Sequence, residues 1–310
     1  MLRNKKISIV IPIYNCQETI HNLVENIIKE LNDKFKLEIV LINDCSTDLS
    51  EKECIRAFNN FPGKIKFYSL GKNVGEHSAV MAGLNNASGE WAIIMDDDFQ
   101  NPISELLKLL QYSIDNTFDV VYTKYDKKKH SIFRNIGSRF NDKISNIILN
   151  KPNDLYLSSF KAISRKVIDE IIKYDLPFPY LDGLVLRTTR NLGVINVKHN
   201  QRKYGKSGYT ITKLISLWLN MFTSFSTIPL RVSTFLGLFM STLGSIYAMI
   251  IIYEKLLTPE IPAGYSSTII FILIFSGLQL IFLGIIGEYL GRLFIAQSKA
   301  PQYFITKSFD

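Results

Sequence analysis

The stretch Trp91-Ala92-Ile93-Ile94-Met95-Asp96-Asp97-Asp98-Phe99-Gln100 decides the fold around it: five apolar residues run into three consecutive carboxylates. An apolar strand ending this way delivers negative charge to a loop, where the carboxylates repel strongly unless a cation or a donor network compensates. In an extended chain side chains alternate, so Asp96, Asp98 and Gln100 are expected to share one face and to converge as three oxygen ligands. Hard oxygen donors without Cys or His suit Mg2+ or Mn2+, which keep positions open for phosphate oxygens. The same residues also fit a solvated acidic turn ahead of a helix, whose N-terminus favours negative charge.

Outward from that strand, the first 125 residues alternate β-branched runs with helical patterns. Ile7–Tyr14, Leu37–Asn43, Ile65–Leu70, Trp91–Met95 and Val120–Tyr125 read as strands. Ile20, Leu23, Val24, Ile27 and Leu31 recur at helical spacing. Asn101-Pro102 ahead of Ile103–Ile114 supplies a cap residue and a proline at the first helical position. Strands alternating with helices predict an α/β domain with a mostly parallel, doubly wound sheet, which binds ligands at strand carboxyl ends. Two more such ends are Ile11-Pro12-Ile13-Tyr14-Asn15 and Leu41-Ile42-Asn43-Asp44-Cys45-Ser46-Thr47-Asp48, whose polar groups can hydrogen-bond a nucleoside. Neither G-x-G-x-x-G nor G-x-x-x-x-G-K-[ST] occurs, so a metal site would have to hold the phosphates.

The 310 residues are 47% hydrophobic, high for a soluble enzyme, yet 21% charged, too many for a polytopic membrane protein. A hybrid fits both. The formal charge of +8 is uneven: residues 1–119 carry net −5, residues 120–210 net +11 and residues 211–310 net +2. A single basic segment between an acidic domain and an apolar tail disfavours a nucleic-acid binder. Cys16, Cys45 and Cys54 form no C-x-x-C pair, and Met1–Lys6 runs into a strand without a cleavage site, so the N-terminal domain is expected to be cytosolic and reduced. The four histidines lack metal-ligand spacing.

Val232–Ile252 and Ser266–Ile286 are uncharged apolar stretches, each long enough to cross the ~30 Å hydrocarbon core of a bilayer. Arg202, Lys203, Lys206, Lys213 and Arg231 precede the first, and Arg292, Lys299 and Lys307 follow the second. The positive-inside rule then places both ends in the cytoplasm and the short loop outside. Ile211, Leu214, Ile215, Trp218, Phe222 and Phe225 share one helical face, expected to lie on the cytoplasmic leaflet or to pack on the sheet domain. Gly237, Ser241 and Ser245, and Gly287 with Gly291, have the spacing that lets membrane helices pack closely, within one chain or in a homo-oligomer, though small residues are also ordinary there.

Val10–Asn15, Ile42–Asp48, Asn73–Leu84 and Asp96–Gln100, in that order, resemble the family 2 inverting glycosyltransferases with the A-type nucleotide-sugar, Rossmann-like fold. Arg202-Lys203-Tyr204-Gly205-Lys206-Ser207 and the membrane hairpin are similar to the branch that glycosylates polyprenyl phosphates. The resemblance implies donor contacts from Pro12, Tyr14, Asp44, Asp97, Arg202 and Lys206, and metal binding by Asp96, Asp98 and Gln100, with Asp96 and Asp98 catalytic. It implies an acceptor-phosphate site at Lys124, Arg134 and Ser138. Three positions depart from the family pattern. Lys124 stands where arginine is usual, and Cys16 stands where an acid is common, leaving Glu18 as the nearest candidate. The common Gly-Asp-Phe-Arg reads Ser158-Ser159-Phe160-Lys161, so any catalytic role of its Asp passes to Asp154 or is absent.

The expected molecule has a cytosolic transferase domain (1–209), an interfacial helix (210–228), a two-helix hairpin (229–291) and a cytosolic tail (292–310). The resemblance implies an enzyme of the bacterial cytoplasmic membrane that moves a sugar from a nucleotide-diphosphate donor, such as UDP-glucose, to undecaprenyl phosphate. A phosphomonoester is already anionic at pH 7, so the acceptor needs a cationic cradle rather than a strong base, and the +11 segment offers one. Lys127-Lys128-Lys129 also fits a solvated loop or a contact with anionic lipid. Alternatives are a GDP-mannose donor, a polysaccharide acceptor, or a membrane-tethered binding protein without activity.

Overall fold

Strand β1 (Lys6–Ile13) is buried without interruption from Ile7 to Ile11, the mark of a strand covered on both faces. The structure is a computed structural model that describes residues 5–125, 151–152, 155–200, 228–257, 264–298 and 300–310. Around β1 lie β2 (Lys36–Asn43), β3 (Ile65–Leu70), β4 (Trp91–Ile94), β5 (Val120–Tyr125), β6 (Lys161–Ser164), β7 (Leu192–Val197) and β8 (Ile305–Phe309). The sheet order is β7-β5-β6-β4-β1-β2-β3-β8. Strands β1 to β4 pair in parallel, and β5 pairs in parallel with β7. The sheet is mixed because β6 inserts antiparallel between β4 and β5, and β8 runs antiparallel on β3.

Helix α1 (Ile20–Leu31) buries the apolar stripe read from the sequence. Helices α2 (Ser50–Asn60), α3 (Glu76–Asn86), α4 (Ile103–Asp115), α5 (Arg165–Ile171) and α6 (Leu181–Thr188) complete the layers. Asn101 does not cap α4 as expected; it is buried, Pro102 takes the cap position, and no side-chain cap bond forms. The path β1-β2-β3 builds outward on one side of β1, then returns to β4 on the other. That reversal between β1 and β4 is a topological switch point, the crevice where open α/β sheets bind ligands.

The chain divides into Met1–Tyr209 with Lys299–Asp310, and Thr210–Ser298. Helices α7 (Ile228–Leu257) and α8 (Tyr265–Gln297) belong to the second unit. They pack with Tyr247 and Phe271 rings 5.3 Å apart. Among the described residues, one stretch, Ile274–Gln297, is long and apolar enough to cross a membrane, and none of it is buried. The expected interfacial helix lies almost wholly outside the described residues.

Near the end of the chain, Ile305–Phe309 forms β8 in the sheet unit. Phe309 sits 5.7 Å from both the Phe58 and Phe67 rings, and the Gly71 amide donates to the Phe304 carbonyl at 2.9 Å.

Candidate functional site

Asn15, Cys45 and Phe99 follow β1, β2 and β4, and each holds a left-handed φ of 55° to 58°. For cysteine and phenylalanine that conformation costs on the order of 1 kcal/mol, and such strain concentrates at functional sites. Hydrogen bonds cross between the loops after β1 and β2. The Asn15 amide donates to Ser46 Oγ at 3.0 Å, the Thr47 amide to Asn15 Oδ1 at 2.9 Å, and the Leu49 amide to Gln17 Oε1 at 2.9 Å.

Asp44, at the end of β2, is buried, and both its oxygens are engaged. Oδ1 accepts the Val74 amide at 2.7 Å and Oδ2 the Gly75 amide at 2.9 Å, so the carboxylate clasps the loop into α3. Burial raises its pKa, against the pull of those two amides. Pro12 lies in β1 opposite Ile42, and Tyr14 just beyond is half exposed. Glu18 is exposed in the turn before α1.

Asp96, Asp98 and Gln100, expected to share one face of an extended chain, follow the end of β4 at Ile94. Extended alternation stops near Met95, because the chain bends at residues 97–99 and Phe99 turns left-handed. Asp98 Oδ1 accepts the Gln100 amide at 3.0 Å, closing the turn, while the Gln100 carbonyl accepts the Asn200 amide at 2.8 Å. Burial and the nearby charges of Glu76 and Asp98 push Asp96 up to about 7, opposed by a 2.7 Å hydrogen bond from Ser159 Oγ and by the charge of Lys161. Asp97 is pushed up to about 6 by burial and by its two neighbours, although the Cys16 thiol and the Tyr14 amide donate to it. Cys16 therefore serves Asp97 as a donor at the position where an acid was the common pattern.

Among the described residues no three His, Cys, Asp or Glu side chains form a group that could hold a metal ion. Asp96 and Asp98 supply two carboxylates, and Mg2+ or Mn2+ is commonly held by one or two carboxylates plus water and substrate phosphates. Two hard carboxylate donors, with positions left for water and phosphate oxygens, are a donor set that fits a divalent cation.

A buried polar cluster that spacing did not reveal involves β5, β6 and the start of α6. Lys161 pairs with Asp182, and Tyr122 Oη donates to Asp182 Oδ1 at 3.0 Å. The Lys161 ammonium lies 5.0 Å from the centre of the Tyr122 ring. His77 meets the Tyr180 ring edge-on at 5.1 Å, and burial lowers it to about 4, so it is neutral at pH 7. A lysine two residues beyond Ser159 and an aspartate at a helix start were the only sequence cues.

Much of the basic segment that is described serves structure: Lys151 donates to the Leu155 carbonyl at 2.6 Å, and Arg165 to the Gly89 and Ala87 carbonyls at 2.9 and 2.8 Å. Lys124 is exposed on β5. Arg134, Ser138, Asp154, Arg202 and Lys206 lie outside the described residues.

A mixed sheet with a parallel centre, helices on it and carboxylates at a switch point defines a Rossmann-like α/β domain. The fold matches the crystal structure of Mycobacterium tuberculosis glucosyl-3-phosphoglycerate synthase with a TM-score of 0.51 at 16% identity, over 68% of this chain and 75% of that one. Residues 8–172 match Glycosyl transferase family 2, and residues 228–293 match the GtrB C-terminal hairpin. The chain belongs to glycosyl transferase family 2. It is 31% identical to the undecaprenyl-phosphate 4-deoxy-4-formamido-L-arabinose transferase of Proteus mirabilis, covering 97% of this chain and 93% of that protein. It is 31% identical to the uncharacterized glycosyltransferase YkcC of Bacillus subtilis, over 100% and 96% of the two chains.

Proposed function

We propose that the protein transfers a sugar from a nucleotide-diphosphate donor to undecaprenyl phosphate, inverting the anomeric centre in one displacement. The observation that carries this reading is the cluster of Asp96, Asp97 and Asp98 just beyond β4 at the switch point, in a chain similar over nearly its whole length to a transferase named for that acceptor. Asp97 and the loop held by Asp44 line the donor side, with Tyr14 available to the nucleoside. Asp96 and Asp98 would hold Mg2+ or Mn2+, with Gln100 closing the turn that presents Asp98. Such a cation, when bound, offsets charge on the leaving diphosphate. The acceptor phosphate, anionic at pH 7, needs placement more than deprotonation. Arg134, Ser138 and Lys124 are proposed for that role, Arg202 and Lys206 for the donor pyrophosphate, and a UDP-sugar is the proposed donor.

Both α7 and α8 are proposed to span the bacterial cytoplasmic membrane, since the chain leaves the sheet unit before them and rejoins it after them. The transferase unit is then cytoplasmic. A cysteine replacing Thr258 should react with an impermeant thiol reagent from outside intact cells; labelling only after lysis would overturn this topology.

The deciding assay supplies membranes and undecaprenyl phosphate with labelled nucleotide sugars, including UDP-glucose, and follows label into organic-extractable lipid. Transfer should require Mg2+ or Mn2+, and Asp98→Asn should abolish it while leaving membrane insertion intact. Full activity in that variant would sink the metal assignment.

A further inference from the structure

We propose that Ser159 is a positioning residue that fixes the Asp96 carboxylate for a divalent cation, an inference that rests on the metal reading above. Its hydroxyl donates to Asp96 Oδ2 at 2.7 Å across 63 positions of sequence. One oxygen of Asp96 is thereby engaged and the plane of the carboxylate set, leaving Oδ1 for a cation.

The serine is itself held. Preceding it, Ser158 is buried; its Oγ accepts the Thr123 amide at 3.1 Å and donates to the Phe160 carbonyl at 2.8 Å. Following it, Phe160 is fully buried and Lys161 is locked to Asp182. The turn is therefore tied to β5 on one side and to α6 on the other, and Ser159 stands on rigid neighbours. Metal ligands depend on such outer partners, which fix ligand orientation.

Charge explains why a hydroxyl suits this position. Asp96 already feels the negative charges of Glu76 and Asp98. A further carboxylate within 3 Å would add a repulsion that a neutral donor avoids. Ser159 gives Asp96 a hydrogen bond without adding to the acidic cluster.

The test is Mn2+ binding by the full-length protein in detergent, followed by loss of the free-ion electron paramagnetic resonance signal, with no turnover involved. Ser159→Ala should bind Mn2+ about 10- to 100-fold more weakly than the unaltered protein. Ser159→Thr, which keeps the hydroxyl, should recover most of that affinity, and melting temperatures should confirm that both variants fold. Unchanged affinity in Ser159→Ala, or a Thr variant as weak as the Ala variant, would overturn the assignment. If the unaltered protein binds no Mn2+, the metal reading itself falls and the positioning role falls with it.

Discussion

Asp44 is placed to do two things with one carboxylate: it holds the Val74 and Gly75 amides, and it stands at the strand end proposed to face the nucleoside. Gly75, with φ of 86°, starts α3, so the clasp fixes where that helix begins. Asp44→Ala leaves two partly buried amides without their acceptor, and such a loss costs about 1–3 kcal/mol. A lowered melting temperature together with a raised KM for the donor is expected; thermal denaturation and donor titration check the pair. The carboxylate cluster was legible because three consecutive acids follow an apolar run, a pattern that also fits a solvated turn ahead of a helix. Ser159, Cys16 and Lys161 were not, since each is defined by a partner tens of residues away, and spacing carries no trace of such contacts.

The elements that sequence disclosed are those whose apolar pattern is strong: β1 to β5, α1 and α4. Strand β6 has four residues and begins with a lysine, and β8, Ile-Thr-Lys-Ser-Phe, is mostly polar; pairing rather than periodicity makes them strands. Close packing sets a sharp constraint on α3, where a Cβ on Gly83 would collide with Val10 Cγ1 and come within 3.3 Å of Ile42 Cγ1. Gly83→Ala should destabilise by about 1–3 kcal/mol through overpacking, measured by denaturant unfolding of the solubilised protein.

At the opposite end of the sheet, Glu38 ties strands together. It accepts from Ser8 Oγ at 2.5 Å and from the Ser88 amide and hydroxyl at 2.8 and 2.6 Å, with the Lys66 ammonium at 3.1 Å. Burial alone would raise its pKa, but these donors bring it down to about 2. A carboxylate held below its ordinary 4.5 stabilises the fold fully above that pH and progressively less as pH falls toward 2. Glu38→Gln should therefore lower the melting temperature at pH 7, with the gap from the unaltered protein narrowing as pH drops from 4.5 to 2.

For the whole molecule, β8 covers the outer edge of β3, a row of backbone groups that would otherwise be open to pairing with another chain. Lys307 bonds Glu51 and Asp310 bonds Tyr68, so the strand is fastened by side chains as well. Removing residues 305–310 should lower the melting temperature and promote aggregation, read by light scattering on heating. Retention of full stability would show that the edge is tolerated bare.

The same strand imposes a timetable on biosynthesis. Leu70 and Ile305 are 235 positions apart, and α7 and α8 lie between them. At ~5–20 residues per second, β3 waits roughly 12–47 s for its partner while the ribosome makes the hairpin. The sheet is thus sealed only after both apolar helices have been synthesised, so a chain whose synthesis stalls within the hairpin keeps the edge of β3 open to pairing with another chain.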